Sequence, residues 1–237
     1  MRTIFFLATF QYSTLASALI NGVVLDKHPD LVRLNFERGE SICSGFFINP
    51  ETLMTAAHCF YSYKDGRKLK LETAESEHDE PIVVQVQNIF IHPNYYTGGW
   101  SPNDVAIIKT TFNSKFQKNF ILSKDFPNRI GDLIFFGAGK TSLNPKVYGR
   151  STGKNNFVRI GSFLYSLGSS KVTNTPGIAT SIAPNDSGAP VLNEQGFVIG
   201  IAAKSTVSWT DGTFFPSLSV TTLLTFEENW NFIQQNL

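Results

Sequence analysis

Three residues that could serve one reaction stand far apart in the chain: His58 in "TAAHC", Asp104 in "SPNDVAIIKT" and Ser187 in "NDSGAPV". A serine hydroxyl attacks a carbonyl only when a base takes its proton. Histidine is the side chain suited to that at neutral pH, and a carboxylate on its other ring nitrogen holds the required tautomer. Each residue also has a plainer explanation. The Asn, Asp, Gly and Pro around Ser187 are turn formers. His58 beside Cys59 could be a core histidine, and Asp104 after Asn103 could cap a strand entrance. Asp104 opens the apolar run Val105 to Ile108, which would shelter a carboxylate facing an imidazole.

The elements that would have to position these groups read mostly as strands. "LVRLNF", "PIVVQVQNIFI", "VAIIKT", "DLIFFGAG" and "GFVIGIAA" are rich in β-branched and aromatic residues and are separated by Gly, Asn or Pro. Only the tail reads as a helix. There Thr225 and Glu228 have the spacing of a capping box, and Phe226, Trp230, Ile233 and Leu237 fall on one helical face. The charged stretch Tyr63 to Glu80 reads as a surface excursion. Many strands with one terminal helix predict an all-β barrel or sandwich.

With 237 residues, 42% of them hydrophobic, the chain is long enough for a sizeable core. A formal net charge of +1 gives no electrostatic case for nucleic acid or an anionic membrane as partner. The opening "MRTIFFLATFQYSTLASA" places one Arg before an apolar run and ends in Ala16-Ser17-Ala18, the pattern of an export signal over residues 1–18. The run is too short for a bilayer, which takes about 20 residues. Export to an oxidising space, extracellular or periplasmic, predicts that the two cysteines, Cys43 and Cys59, form one disulfide. Closing that loop would remove about 3 kcal/mol of unfolded-chain entropy and anchor His58.

Taken together, "TAAHC", "NDVAIIK" and "NDSGAPV" resemble the chymotrypsin/trypsin-like serine proteases, and the order His, Asp, Ser is that family's order. "LINGV" resembles the family's mature amino terminus, "IHPNY" the strand end before its Asp loop, and "FGAG" a Gly-rich segment of its second barrel. The resemblance implies two six-stranded antiparallel β-barrels with a C-terminal α-helix. The first barrel, 19–125, would carry His58 and Asp104, and the second, 126–237, would carry Ser187. It implies a secreted, monomeric endopeptidase that cuts protein or peptide substrates through an acyl-enzyme intermediate. No metal or organic cofactor is called for.

Further expectations follow residue by residue from the resemblance. The backbone N–H groups of Asn185 and Ser187 would form the oxyanion hole. The family usually has Gly at the first of these, and Asn is among the residues that best tolerate positive φ. Ser181 would form the floor of the primary specificity pocket, and the lack of a carboxylate there argues against cleavage after Arg or Lys. Ala203, Lys204 and Ser205 would line the pocket wall. Lys204 replaces a common aromatic residue and could attract an acidic side chain, although uncharged ones are expected. Removal of residues 1–18 would leave Leu19 with a free amine, expected to pair with Asp186 and to order the site. The competing expectation is a protease-fold binding protein that keeps the scaffold without its activity.

Overall fold

The computed structural model describes residues 19–20, 22–25, 28, 30–36, 41–60, 69–72, 82–84, 86–97, 100–111, 120–125, 127–139, 151–169, 180–205 and 216–237. The expected export signal lies outside them. The strands sort into two antiparallel sheets.

The first sheet contains β2 (Leu31–Phe36), β3 (Ser41–Asn49), β4 (Thr52–Thr55), β5 (Leu69–Glu72), β6 (Ile82–Val84), β7 (Val86–Ile91) and β8 (Ala106–Thr110). Their order is β6-β5-β2-β3-β4-β8-β7. The two ends, β6 and β7, are neighbouring parts of one stretch of chain, so the order returns on itself. The side chains of Leu31, Leu34, Phe46, Phe47, Leu53, Met54 and Ile107, drawn from both faces of the sheet, are fully buried. Each such side chain contributes roughly 1.5–3 kcal/mol relative to exposure. β5 falls inside the stretch read from sequence as a surface excursion. Its Leu71 is fully buried and the strand pairs with both β2 and β6. The charge of the flanking residues masked that pairing in the sequence.

The second sheet is a closed barrel. It contains β9 (Ile130–Gly137), β10 (Ser151–Ile160), β11 (Phe163–Ser169), β12 (Pro190–Leu192), β13 (Val198–Ser205) and β14 (Pro216–Leu223). The cycle β10-β11-β14-β13-β12-β9 closes through a β9–β10 ladder. A short strand β1 (Val23–Val24) pairs with β10 of this barrel, although it lies first in the chain. Ile20 likewise bridges Ser181 and the Leu19 N–H bonds Ser151, so Leu19, Ile20, Val23 and Val24 dock on the second barrel.

The tail helix α1 (Glu227–Asn236) is present, but its details differ from the expectation. Phe226 is the N-cap and no side chain caps the helix. Glu228 instead accepts hydrogen bonds from Asn94 and Asn103, and the Thr225 hydroxyl is buried without a partner. The buried face is Asn229, Phe232 and Ile233, while Leu237 is exposed. Asn229 is buried because its amide donates to the Pro102 carbonyl at 2.9 Å and to the Leu223 carbonyl. A pattern of apolar residues cannot report a buried polar anchor of this kind. No described helix is long and apolar enough to cross a membrane.

Candidate active site

His58 sits on a 3₁₀ turn, Ala57–Cys59, directly after β4. The expected disulfide is formed: Cys43 of β3 is joined to Cys59, which ties the turn to the neighbouring strand. Both sulfurs are thereby lost as ligands, although His58 lies close to them. Asp104 stands before β8, 6% exposed. Its Oδ2 lies 2.7 Å from His58 Nδ1, and its Oδ1 accepts the His58 backbone N–H at 2.8 Å. One carboxylate therefore grips the histidine at two points, favouring the tautomer with the proton on Nδ1 and leaving Nε2 as the base.

The loop that delivers Asp104 is held by α1. His92 Nε2 lies 3.3 Å from the Glu228 carbonyl, Asn94 and Asn103 donate to the Glu228 carboxylate, and Asn229 donates to Pro102. Burial pushes the His92 imidazole below its ordinary pKa. At the other end of the helix, Lys109 Nζ donates to the Leu237 carbonyl at 2.8 Å, a cation placed where the helix dipole is negative.

Ser187 comes from the turn before β12 in the second barrel and is fastened across the domain boundary. Its carbonyl accepts the Ser44 N–H of β3 at 2.8 Å. Gly188, φ +89°, has no space for a side chain: a Cβ would come within 2.1 Å of Thr55 Oγ1 and 2.3 Å of the Ser44 carbonyl. The serine thus lies where the two barrels touch. Its hydroxyl donates to the Ala203 carbonyl at 3.4 Å, and among the described residues no hydrogen bond joins it to His58. Catalytic hydrogen bonds are often long or misdirected before substrate binds, and rotation about one side-chain bond redirects this hydroxyl.

Asn185 has φ +71°, the one positive value at a non-glycine residue among those described. The backbone conformation expected there is adopted. Its carbonyl accepts from Ser44 Oγ at 2.9 Å, and that oxygen itself accepts the Ala138 N–H at 3.2 Å. Ser44 is fully buried and pins this peptide with its carbonyl turned towards β3. No sequence pattern singled it out. The Ser187 N–H has no internal acceptor among the described residues.

His58, Asp104 and Ser187 line one cleft of about 460 Å³. Ala203, Lys204 and Ser205 line it as well, and Tyr95, Trp100 and Phe163 form walls that the sequence did not suggest. Ser181 does not reach this cleft. It is fully buried, paired with Ile20, and its hydroxyl has no partner among the described residues. In front of the β13–β14 ladder, Ser205 Oγ and the buried Ser217 Oγ are 3.1 Å apart. Leu19 and Asp186 are both fully buried, and the described hydrogen bonds of each go elsewhere. The Leu19 nitrogen, here a peptide amide, donates to Ser151 Oγ at 2.7 Å. Asp186 accepts from the Gly139 and Ala183 N–H groups, each at 2.9 Å, and burial pushes its carboxyl up to about 7.

A family model described as Trypsin matches residues 21–215. The chain is similar to a venom serine protease of Polistes dominula, 32% identical over 111 residues, which is 43% of this chain and 38% of that protein. It is also similar to hypodermin-B of Hypoderma lineatum, 26% identical over 195 residues, 75% of this chain and 71% of that one. Among solved structures it resembles neuropsin, a serine protease expressed in the limbic system of mouse brain. The TM-score is 0.65 at 15% identity, over 93% of this chain and 99% of that chain. That structural likeness supports the two-barrel fold, and with the family model spanning well over half of its length, the protein belongs to the trypsin family of chymotrypsin-like serine proteases.

Proposed function

We propose that the protein is an exported serine endopeptidase working through His58, Asp104 and Ser187. The observation that carries this reading is the 2.7 Å contact between His58 and Asp104 at the edge of the cleft that Ser187 also lines. Ser187 Oγ attacks the peptide carbonyl as His58 Nε2 takes its proton. His58 then returns the proton to the leaving amine, and Asp104 stabilises the imidazolium between the two steps. Water hydrolyses the acyl-enzyme by the same relay. The N–H groups of Asn185 and Ser187 receive the oxyanion, and the Ser44 hydrogen bond to the Asn185 carbonyl fixes the peptide that lies between the two donors. A free amine at Leu19, if it turned from Ser151 to the buried Asp186, would supply the charge which that carboxylate lacks. Substrates are proteins or peptides cut after uncharged residues. Asp104, held by His58, is the one carboxylate among the described residues that line the cleft, and the Ser205–Ser217 contact favours a shallow pocket.

A second reading, a binding protein on a protease scaffold, takes its support from the Ser187 hydroxyl donating to Ala203 rather than to His58. A fluorophosphonate probe separates the two. Labelling at Ser187, lost in His58→Ala, supports the protease; a folded protein that stays unlabelled sinks it.

A further inference from the structure

The strand registers of the second barrel place five residues on one transverse row. Lys204 is opposite Val220, Val220 opposite Tyr165, Tyr165 opposite Val158, and Val158 opposite Ile130. Directly opposed residues of antiparallel strands project from the same face. For the four apolar residues beyond Lys204 that is the outer face of the barrel. Val220 is buried at the floor of the cleft, Tyr165 is half-buried, and Val158 and Ile130 are 43% and 67% exposed. The neighbouring row repeats the pattern, from Phe163 at the cleft to Ile160, 61% exposed. An outward face of an antiparallel sheet ordinarily carries polar residues. Here β-branched residues stand in the open, on the side of the barrel that leads away from Ser187.

We propose that this belt is a docking surface for an extended apolar segment of the polypeptide being cleaved. The proposal rests on the cleft being the protease site. Continuity identifies the occupant, because Lys204, Val220 and Phe163 belong at once to the cleft and to the belt. Trp100, reaching over from the first barrel, has its ring 5.8 Å from that of Tyr165 and lines the same cleft, so a chain leaving the cleft passes between aromatic surfaces onto Val158. Four strand-to-strand steps of about 4.8 Å give about 19 Å along the sheet. An extended chain covers that with about six residues. Charge argues against an anionic bilayer as the occupant: Ile130 borders a second hollow, about 320 Å³, whose charged lining residues are Asp125, Asp132 and Glu194. Substrates that carry an apolar stretch about six residues long next to the cleaved bond are thereby selected over polar ones.

The test is binding to the full chain carrying Ser187→Ala, so that turnover does not intervene. Two fluorescein-labelled peptides share one central sequence; in one it is flanked on both sides by Leu, Val and Phe, in the other by Ser and Gly. The apolar-flanked peptide is expected to bind about tenfold more tightly or better, and adding Val158→Lys with Ile130→Lys is expected to erase the preference. Both positions are exposed, and Ile130→Ser alone, expected to weaken the preference severalfold, serves if the double change disturbs folding. Equal affinities, or a preference that survives these substitutions, overturn the proposal. So does a patch shown by the same substitutions to bind phosphatidylserine vesicles or a second copy of the chain. Peptide preference without fluorophosphonate labelling would sink the protease reading and leave the surface standing, whereas labelling without preference would sink the surface alone.

Discussion

Replacing Asp186 by Asn removes a carboxyl that is fully buried, accepts two backbone N–H groups, and has no cation among its partners in the described residues. Desolvation raises its pKa from 3.8 to about 7, and the two N–H donors hold the rise back. The shift is some three units, each worth about 1.36 kcal/mol, or about 4 kcal/mol in all. Because the folded value lies above the unfolded one, the folded state binds this proton more tightly. Stability from this group is full below about pH 4, falls as pH rises towards 7, and stays low beyond that. Asp186→Asn abolishes the dependence but gives up one of two acceptors, a cost of about 1–3 kcal/mol. The variant should therefore be the more stable protein near pH 8 and the less stable near pH 4. Urea unfolding followed by tryptophan fluorescence at several pH values measures the gap. Its variation by about 4 kcal/mol between about pH 4 and pH 7 is the expected result. If the chain instead begins at Leu19 with a free amine, the ammonium supports the carboxylate and the variation should shrink. Parallel stability curves for the uncut protein and its variant would refute the account of Asp186 as an uncompensated buried acid.

Ser187→Ala and His58→Ala should each abolish hydrolysis of casein while leaving the unfolding transition in place, and the double variant should be no worse than either, since the groups act as a unit. Ser44→Ala removes the hydroxyl bridging Ala138 and the Asn185 carbonyl; with the peptide between the two oxyanion donors freed and their relative placement loosened, kcat should fall by up to about 10²–10³, with KM little changed in steady-state assays. Asn229→Ala leaves the Pro102 and Leu223 carbonyls without their donor, and should cost about 1–3 kcal/mol in denaturant unfolding together with a loss of kcat. Peptide-library profiling should show cleavage after uncharged residues; dominant cleavage after Arg or Lys would overturn the reading of a pocket without a free carboxylate.

Strands with one continuous apolar face could be read directly, and "LVRLNF", with Val32, Leu34 and Phe36 in alternation, coincides with β2. β10 could not be: its sequence "STGKNNFVRI" is rich in Gly, Asn and Lys, yet Asn155 and Ser151 are buried because Asn155 bonds to the Leu167 and Thr180 carbonyls and Ser151 accepts the Leu19 N–H. Hydrogen-bonded partners distant in sequence are invisible to a periodicity argument. For the same reason the capping box at Thr225 was misplaced, because Glu228 finds its donors on a loop of the first barrel rather than on its own helix. At the candidate site, the three reactive side chains stood out because each lies in a short, distinctive run. The walls did not: Trp100, Phe163 and Tyr95 become neighbours only when the barrels pack, and Ser44 acts through a contact 141 positions away.

The grip of α1 on the Asp104 loop bears on the order in which the site is completed during synthesis. Pro102 and Asn229 are 127 positions apart, and every strand of both barrels is translated before the helix that joins them. A growing chain can pair its first sheet and close its disulfide while the Asp104 loop still lacks the amide of Asn229 and the carboxylate of Glu228. Ser187, too, is made before that helix. The His58–Asp104 pair is thus left slack in chains that lack α1 and becomes taut once α1 has docked, so under the proposed function a ribosome-bound fragment without the helix is expected to hydrolyse peptides poorly and one in which it has docked to be competent.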